Sequence, residues 1–229
     1  MDQKAAEIFI SNWKIYQKVI RGDYMFHRKF EVLVKDHLSK ISGGIRMLDL
    51  GCGDASLISQ LLDPSRVLFY KGLDLSGPAL EFAAGNLDAT GVPYELVQGA
   101  MEEMIHAKED KYDIVYSSYA IHHLQDQQKA DLLQTIAYKL KEGGLFIWTD
   151  VFRQKGQSRE EYLENYMRMI TEDWTGLSPG EKKPIDEHIH NYDFPPEYPE
   201  ALSWLSKAGL NLLTVESGDR FHKTLISKK

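Results

Sequence analysis

An apolar run, Ile45 to Leu50, ends in Gly51-Cys52-Gly53-Asp54-Ala55, with two glycines one residue apart. A helix-compatible segment, Ser56 to Leu62, comes next. Strand, tight turn and helix start together let a ligand approach backbone. Glycine has no Cβ and accepts unusual dihedrals. A helix N-terminus leaves N–H groups and a positive dipole end free. The turn lacks the Gly-Lys-Ser/Thr of a phosphate loop, and with Ala55 at the third small position it is short of a full dinucleotide fingerprint. Asp74 strengthens the signal. It ends the next apolar run about 20 positions on, where a carboxylate can take both hydroxyls of a ribose. It could also serve as the N-cap of a helix starting near Gly77-Pro78.

Three further groups could do chemistry. His122-His123 follow the apolar run Tyr112 to Ser118, and an imidazole either packs structurally or accepts a proton near neutral pH. Asp186-Glu187-His188-Ile189-His190, with Asp193 close by, has the composition of a metal ligand set, since His-x-His on a strand shares a face. That segment is a Pro-flanked loop with no fixed ligand spacing, so no metal is expected there and ligand recognition is. An aromatic set, Tyr16, Tyr24, Tyr162, Tyr166, Trp174 and Tyr192, either packs a lid or offers ring faces to a positive centre.

The elements that must position these groups follow from periodicity. Residues 1–42 read as two helices: Ile8, Phe9, Trp13, Tyr16, Val19 and Ile20 recur at helical spacing, Gly22-Asp23 interrupts, and Ser42-Gly43-Gly44 ends the second helix. From Ile45, strands at about 45–50, 67–74, 93–98, 112–118 and 144–151 alternate with helices at about 55–62, 77–90, 101–107 and 126–141. Strict alternation predicts right-handed crossovers and a parallel sheet covered on both faces. Residues 153–199 read as an inserted lid, with one helix at about 158–171 and then a Pro/Gly-rich loop. A helix at about 199–208 and two hairpin-joined strands, about 210–217 and 220–227, close the chain. The expected fold is α/β, a doubly wound, seven-stranded, mostly parallel sheet in a single domain. A helical N-terminal cap (1–42) and the lid would cover the strand ends.

Composition narrows the partners. The chain has 229 residues, 43% of them hydrophobic, enough for one sizeable core. Its net charge of −7 argues against a nucleic-acid partner. No apolar run approaches the ~20 residues that span a bilayer, no signal pattern opens the chain, and the single Cys52 excludes an internal disulfide. A cytoplasmic monomer or homodimer without membrane contact is expected.

These motifs, in this order, resemble the class I S-adenosylmethionine (SAM) dependent methyltransferases. The resemblance rests on Leu48-Asp49-Leu50-Gly51-Cys52-Gly53, on Asp74, on Val115 to Leu124 with its His122-His123, and on Leu140-Lys141-Glu142-Gly143-Gly144-Leu145. It covers about residues 45–227 and implies a Rossmann-like methyltransferase fold. By resemblance, Asp49, Gly51 and Gly53, with Cys52 between them, meet the methionine end of SAM, and Asp74, with Leu75 beside it, holds the ribose. Ala100 stands where the family often has an acidic residue for the adenine amino group; backbone of Ala100 and Met101, with the Met101 side chain against the ring, is the expected substitute. Ser118 and Tyr119 should line the pocket beside the sulfonium. A closely similar stretch in phosphoethanolamine methyltransferases pairs a catalytic His with an N-terminal Tyr. That likeness favours His123 over His122, with Tyr24 as a loose counterpart of the Tyr. Acceptor recognition is expected from Tyr16, Tyr119, Tyr166, His188, His190 and Tyr192. The implied reaction is methyl transfer from SAM to an oxygen or nitrogen of a small molecule, leaving S-adenosylhomocysteine. Alternatives on the same scaffold are non-methyl use of the cofactor, or SAM binding without catalysis.

Overall fold

The computed structural model describes residues 3–104 and 111–229, with side chains from Trp13 onward except those of residues 103 and 104. Helices α1 (Gln3–Gly22) and α2 (His27–Lys40) precede the sheet. The side chains of Ile8 and Phe9, part of the expected apolar face, lie outside the described ones. Strands β1 (Ile45–Leu50), β2 (Val67–Asp74), β3 (Tyr94–Gln98), β4 (Tyr112–Ser118) and β5 (Leu140–Val151) alternate with α3 (Gly77–Asp88), the short α4 (Met101–Met104) and α5 (Asp126–Lys139). Helices α6 (Arg159–Asp173), α7 (Pro179–Tyr192) and α8 (Tyr198–Lys207) follow, and β6 (Asn211–Ser217) and β7 (His222–Lys228) end the chain.

The seven strands lie in the order β3-β2-β1-β4-β5-β7-β6. β1 to β5 pair in parallel and β7 runs antiparallel to both β5 and β6, as the hairpin reading required. β1 and β4, central and covered on both faces, are buried almost along their whole length. Alternation along them feeds two cores. Met47, Ile114 and Ile147 pack with Val34 of α2 and Leu87 of α3, while Leu48, Val115 and Trp148 pack with Leu133 of α5 and Leu205 of α8. Strand order reverses between β1 and β4, so their carboxyl ends open a crevice, the usual ligand position in an open α/β sheet.

Two expectations need correction, and a third is covered only in part. The helix expected at 55–62 is a single 3₁₀ turn, Ile58–Leu61. Ala55 adopts a φ of 53°, the Ser56 N–H bonds the Asp54 side chain at 3.0 Å, and Asn86 Nδ2 takes the Asp54 carbonyl at 2.9 Å. Side chains thus hold backbone groups that a helix would have used, and among the described residues no α-helix starts at this turn. The helix expected at 101–107 is described only as α4; its remainder lies outside the described residues. The Pro/Gly-rich loop after α6 is instead largely α7. Its start is a capping box, Ser178 with Glu181, with Pro179 in the first turn where a missing N–H costs nothing. Arg159 donates to the carbonyls of His190 (2.6 Å) and Asp193 (2.7 Å), satisfying the end of the helix. A third apolar cluster, including Val19 of α1, Tyr166 and Ile170 of α6 and Ile189 of α7, joins arm and lid over the strand ends.

Candidate active site

The turn after β1 is built by backbone. Gly51 and Cys52 donate their N–H groups to the Leu73 carbonyl at 2.8 and 2.9 Å. Gly51 has a φ of +74°, and a Cβ there would lie 2.3 Å from the Ala120 Cβ. Both facts demand glycine. Gly51→Ala is therefore expected to cost about 2–5 kcal/mol, from left-handed strain and overpacking together. Equilibrium urea unfolding would show it, and an unchanged midpoint would mean the turn relaxes freely.

Asp74 ties this turn to the end of β2. Its Oδ2 accepts the Gly53 N–H and its Oδ1 the Ser76 N–H, each at 2.8 Å. The N-cap of α3 is Ser76, whose hydroxyl accepts from Ala79, so the capping alternative for Asp74 falls away. Asp49 is 2% exposed and accepts the Tyr70 hydroxyl at 2.6 Å. Burial raises its carboxyl to about 7, against the Tyr70 bond and with a further push from Asp74.

A cavity of about 720 Å³ opens on these groups at the carboxyl ends of the strands. All nine expected cofactor residues line it: Asp49, Gly51, Cys52, Gly53, Asp74 and Leu75 on one side, Ala100, Met101 and Ser118 on the other. The arm closes one flank. Trp13 Nε1 and Gln17 Nε2 both donate to Asp54 Oδ2, at 2.9 and 2.7 Å, and Trp13 stacks on Phe82 with ring centroids 4.5 Å apart.

A second cavity, about 300 Å³, lies under the arm and lid. Its walls include Val19, Met25, Tyr166, Trp174 and Ile189. Tyr16, Tyr119, His123 and His188 line both cavities and mark their junction. Tyr119, at a φ of 53°, is anchored by its hydroxyl to the Met25 carbonyl. Tyr166, buried, shares a hydrogen bond of 2.9 Å with His222 Nε2. Tyr192 is exposed and lines the larger cavity.

Two expected site residues are not brought here. Tyr24 stacks on Trp174 and its hydroxyl accepts the Gly176 N–H at 2.7 Å; it lines neither cavity and joins arm to lid. His190 pairs with Asp186 one turn back on α7 at 2.9 Å, away from both cavities. A His-x-His pair shares a face on a strand but diverges on a helix, so only His188 turns inward. Tyr162 is core, stacked on Tyr166.

The two histidines of the 3₁₀ turn Ile121–His123 differ sharply. His122 is buried, with Nδ1 2.5 Å from Asp150 Oδ1 and Nε2 3.5 Å from Asp193 Oδ1. Burial opposes its charge, but the Asp150 and Asp193 carboxylates outweigh burial and raise its pKa to about 10. In turn, although burial alone would raise Asp193, the neighbouring His122 and His123 hold that carboxyl well below the usual range. The His123 side chain is 38% exposed, and its Nδ1 lies 3.1 Å from the Tyr192 carbonyl and 3.3 Å from Asp193 Oδ1. Asp54 and Asp150 were not singled out from the sequence. An acidic residue inside the apolar strand β5 was the available signal for Asp150.

Comparison with known proteins gives concordant results. A methyltransferase-domain family model matches residues 47–144. A carboxy-S-adenosyl-L-methionine synthase of Campylobacter lari is 22% identical over 172 residues, covering 73% of this chain and 70% of that one. A ubiquinone biosynthesis O-methyltransferase of Photorhabdus laumondii is 26% identical, covering 59% of this chain and 56% of the relative. Among solved structures, magnesium protoporphyrin IX methyltransferase from Synechocystis with bound S-adenosylhomocysteine superposes with a TM-score of 0.65 at 17% identity, over 96% of this chain and 94% of that one.

Proposed function

We propose that the chain works as a class I SAM-dependent methyltransferase and moves the SAM methyl group to an oxygen or nitrogen of a small, largely apolar acceptor held in the second cavity. The observation that carries this reading is the meeting of a large cavity at the glycine turn with a smaller aromatic one at His123. The residues present fit SAM: a buried carboxylate at the turn, a second at the end of β2 and a cavity of ligand size.

When bound, SAM supplies both an activated methyl and its leaving group. Asp74 would accept from the ribose hydroxyls, and its bonds to Gly53 and Ser76 hold it ready. Asp49 would face the methionine ammonium. Ala100 and Met101 would flank the adenine through backbone and thioether. Tyr16, Tyr119 and His188, which line both cavities, would border the transfer point and help to align methyl and acceptor. His123, half exposed at the junction, is our candidate to take a proton from the acceptor. The shared junction supports His123 in this role over the buried His122. It does not support Tyr24.

Purified protein given SAM and a metabolite extract should yield S-adenosylhomocysteine; tight binding without turnover would sink the transfer reading. The Campylobacter relative supports a second reading, in which the cofactor itself is modified. Mass spectrometry of cofactor retained from the expression host separates the two by mass.

Asp49 gives a pH expectation. Its raised pKa of about 7 leaves it partly protonated in the free protein at neutral pH, while a bound ammonium favours the ionised form. SAM affinity should rise with pH by about tenfold per unit below that pKa and level off above it. Calorimetry from about pH 6 to 8 tests this, with Asp49→Asn expected to flatten the profile; a flat wild-type profile would remove Asp49 from the ammonium.

We also infer a cytoplasmic protein that acts on small molecules rather than nucleic acid, in one domain with a cap and a lid, as monomer or homodimer. The net charge of −7 supports the acceptor class, and among the described residues no helix is long and apolar enough to cross a membrane.

A further inference from the structure

Asp193 is 5% exposed, yet its Oδ1 has no hydrogen-bond partner. Three imidazole nitrogens surround that oxygen: His123 Nδ1 at 3.3 Å, His122 Nε2 at 3.5 Å and His188 Nε2 at 3.7 Å. A charge-assisted hydrogen bond to a carboxylate closes to about 2.7–2.9 Å. Ligands bonded to one metal at about 2.0–2.1 Å in tetrahedral geometry stand about 3.3–3.4 Å apart. The observed spacing is that of a coordination edge. One ligand atom each from His122, His123 and Asp193 falls within 4.8 Å of the others.

We propose that His122, His123 and Asp193 form a binding site for one divalent transition-metal ion at the junction of the two cavities. Asp150 prepares it. By accepting from His122 Nδ1 at 2.5 Å, it keeps that proton in place, so that an ion displacing the Nε2 proton meets a lone pair already directed at the Asp193 side, the arrangement that orients metal-binding imidazoles. Asp150 is itself held by Trp148 Nε1 at 2.8 Å and the Val151 N–H at 3.0 Å. Asp193 is fixed too. The next residue, Phe194, donates its N–H to the His122 carbonyl at 2.8 Å and accepts from the buried Lys129 Nζ at 2.6 Å.

Charge and donor type agree. Asp150 and Asp193 place two negative charges in a buried spot, which the His122 imidazolium only partly balances; a dication taking the place of its Nε2 proton would balance both. Two nitrogens and one oxygen suit zinc or a neighbouring first-row ion; calcium and magnesium prefer oxygen alone. Binding would displace two protons, the one on His122 Nε2 and the one that His123 Nδ1 shares with the Tyr192 carbonyl, as metal binding at imidazole does in general. Three protein ligands leave a position for water or an acceptor oxygen, and an ion there would polarise that oxygen. The site goes beyond the methyl-transfer reading and stands without it.

Cobalt(II) tests the site with no cofactor or acceptor present. Chelator-treated full-length protein titrated with Co²⁺ should develop the visible absorption of a low-coordinate cobalt centre, saturating at one equivalent. One equivalent of Zn²⁺ should bleach it. His123→Gln, a change at a half-exposed residue, and Asp193→Asn should each lose the band, and His190→Gln should keep it. Circular dichroism checks the fold of each variant; should Asp193→Asn not fold, His123→Gln decides. No saturable band in the wild type, or a full band in His123→Gln, overturns the proposal.

Discussion

Asp74→Ala is expected to weaken SAM binding by at least about 100-fold. A carboxylate holding two ribose hydroxyls makes two charge-assisted hydrogen bonds, each contributing about 1.5–3 kcal/mol, and every 1.4 kcal/mol is about tenfold in affinity. The same oxygens accept from Gly53 and Ser76, so the variant also loosens the turn. Asp74→Asn separates the effects. It retains the side-chain volume and one of the two turn bonds but cannot take both hydroxyls, so most of the affinity should still be lost while the melting temperature falls less than in Asp74→Ala. Calorimetric affinity near normal in both variants would end the ribose assignment.

His122→Ala and His123→Ala, one residue apart, should fail in different ways. Removing His122 leaves Asp150 and Asp193 buried without their cation, a loss of about 3–5 kcal/mol, or roughly 6–20 °C in melting temperature. His123 is half exposed, and its removal should cost less than about 1 kcal/mol while slowing turnover by about 10²–10⁴-fold, with SAM affinity unchanged. That loss is expected whether His123 takes a proton itself or holds an ion that does the same work. The His122 contribution also depends on pH. Its folded pKa, raised to about 10, lies above its ordinary value of about 6.5. The stabilisation is thus complete below about pH 6.5 and disappears as pH rises towards 10. The stability gap between wild type and His122→Ala should narrow across that window. A gap that widens would mean His122 is neutral in the folded protein.

The sheet was legible because its signals are local and repeated. Apolar strands such as Ile45 to Leu50 are short and continuous, and Gly143-Gly144 and Thr90-Gly91 punctuate the helices between them. The cavity at the strand ends could be anticipated because Gly51, Gly53 and Asp74, which line it, sit at fixed offsets from strand ends. The lid was not. Prolines at 184, 195 and 196 suggested a loop, and they outweighed a capping box at Ser178 and Glu181 that was present in the sequence. With α7 read as loop, His188 and His190 looked equivalent, and only helical geometry divides them. Partners distant along the chain were the hardest to see. Asp54 receives Trp13 from 41 residues away and Asp150 receives His122 from 28 away, and no spacing rule links either pair. Tyr24 shows the opposite error: the right residue type at the right end of the chain, turned toward Gly176 by packing.

The arm's attachment to Asp54 ties the two cavities to one element. Trp13 and Gln17 grip a residue adjacent to Gly53, and one helical turn on from Trp13 the same helix contributes Tyr16 to both cavities. A change at Asp54, on the wall of the larger cavity, is therefore felt in the smaller one, which it does not touch. Asp54→Ala, by freeing the helix, should raise the concentration of acceptor needed for half-maximal rate.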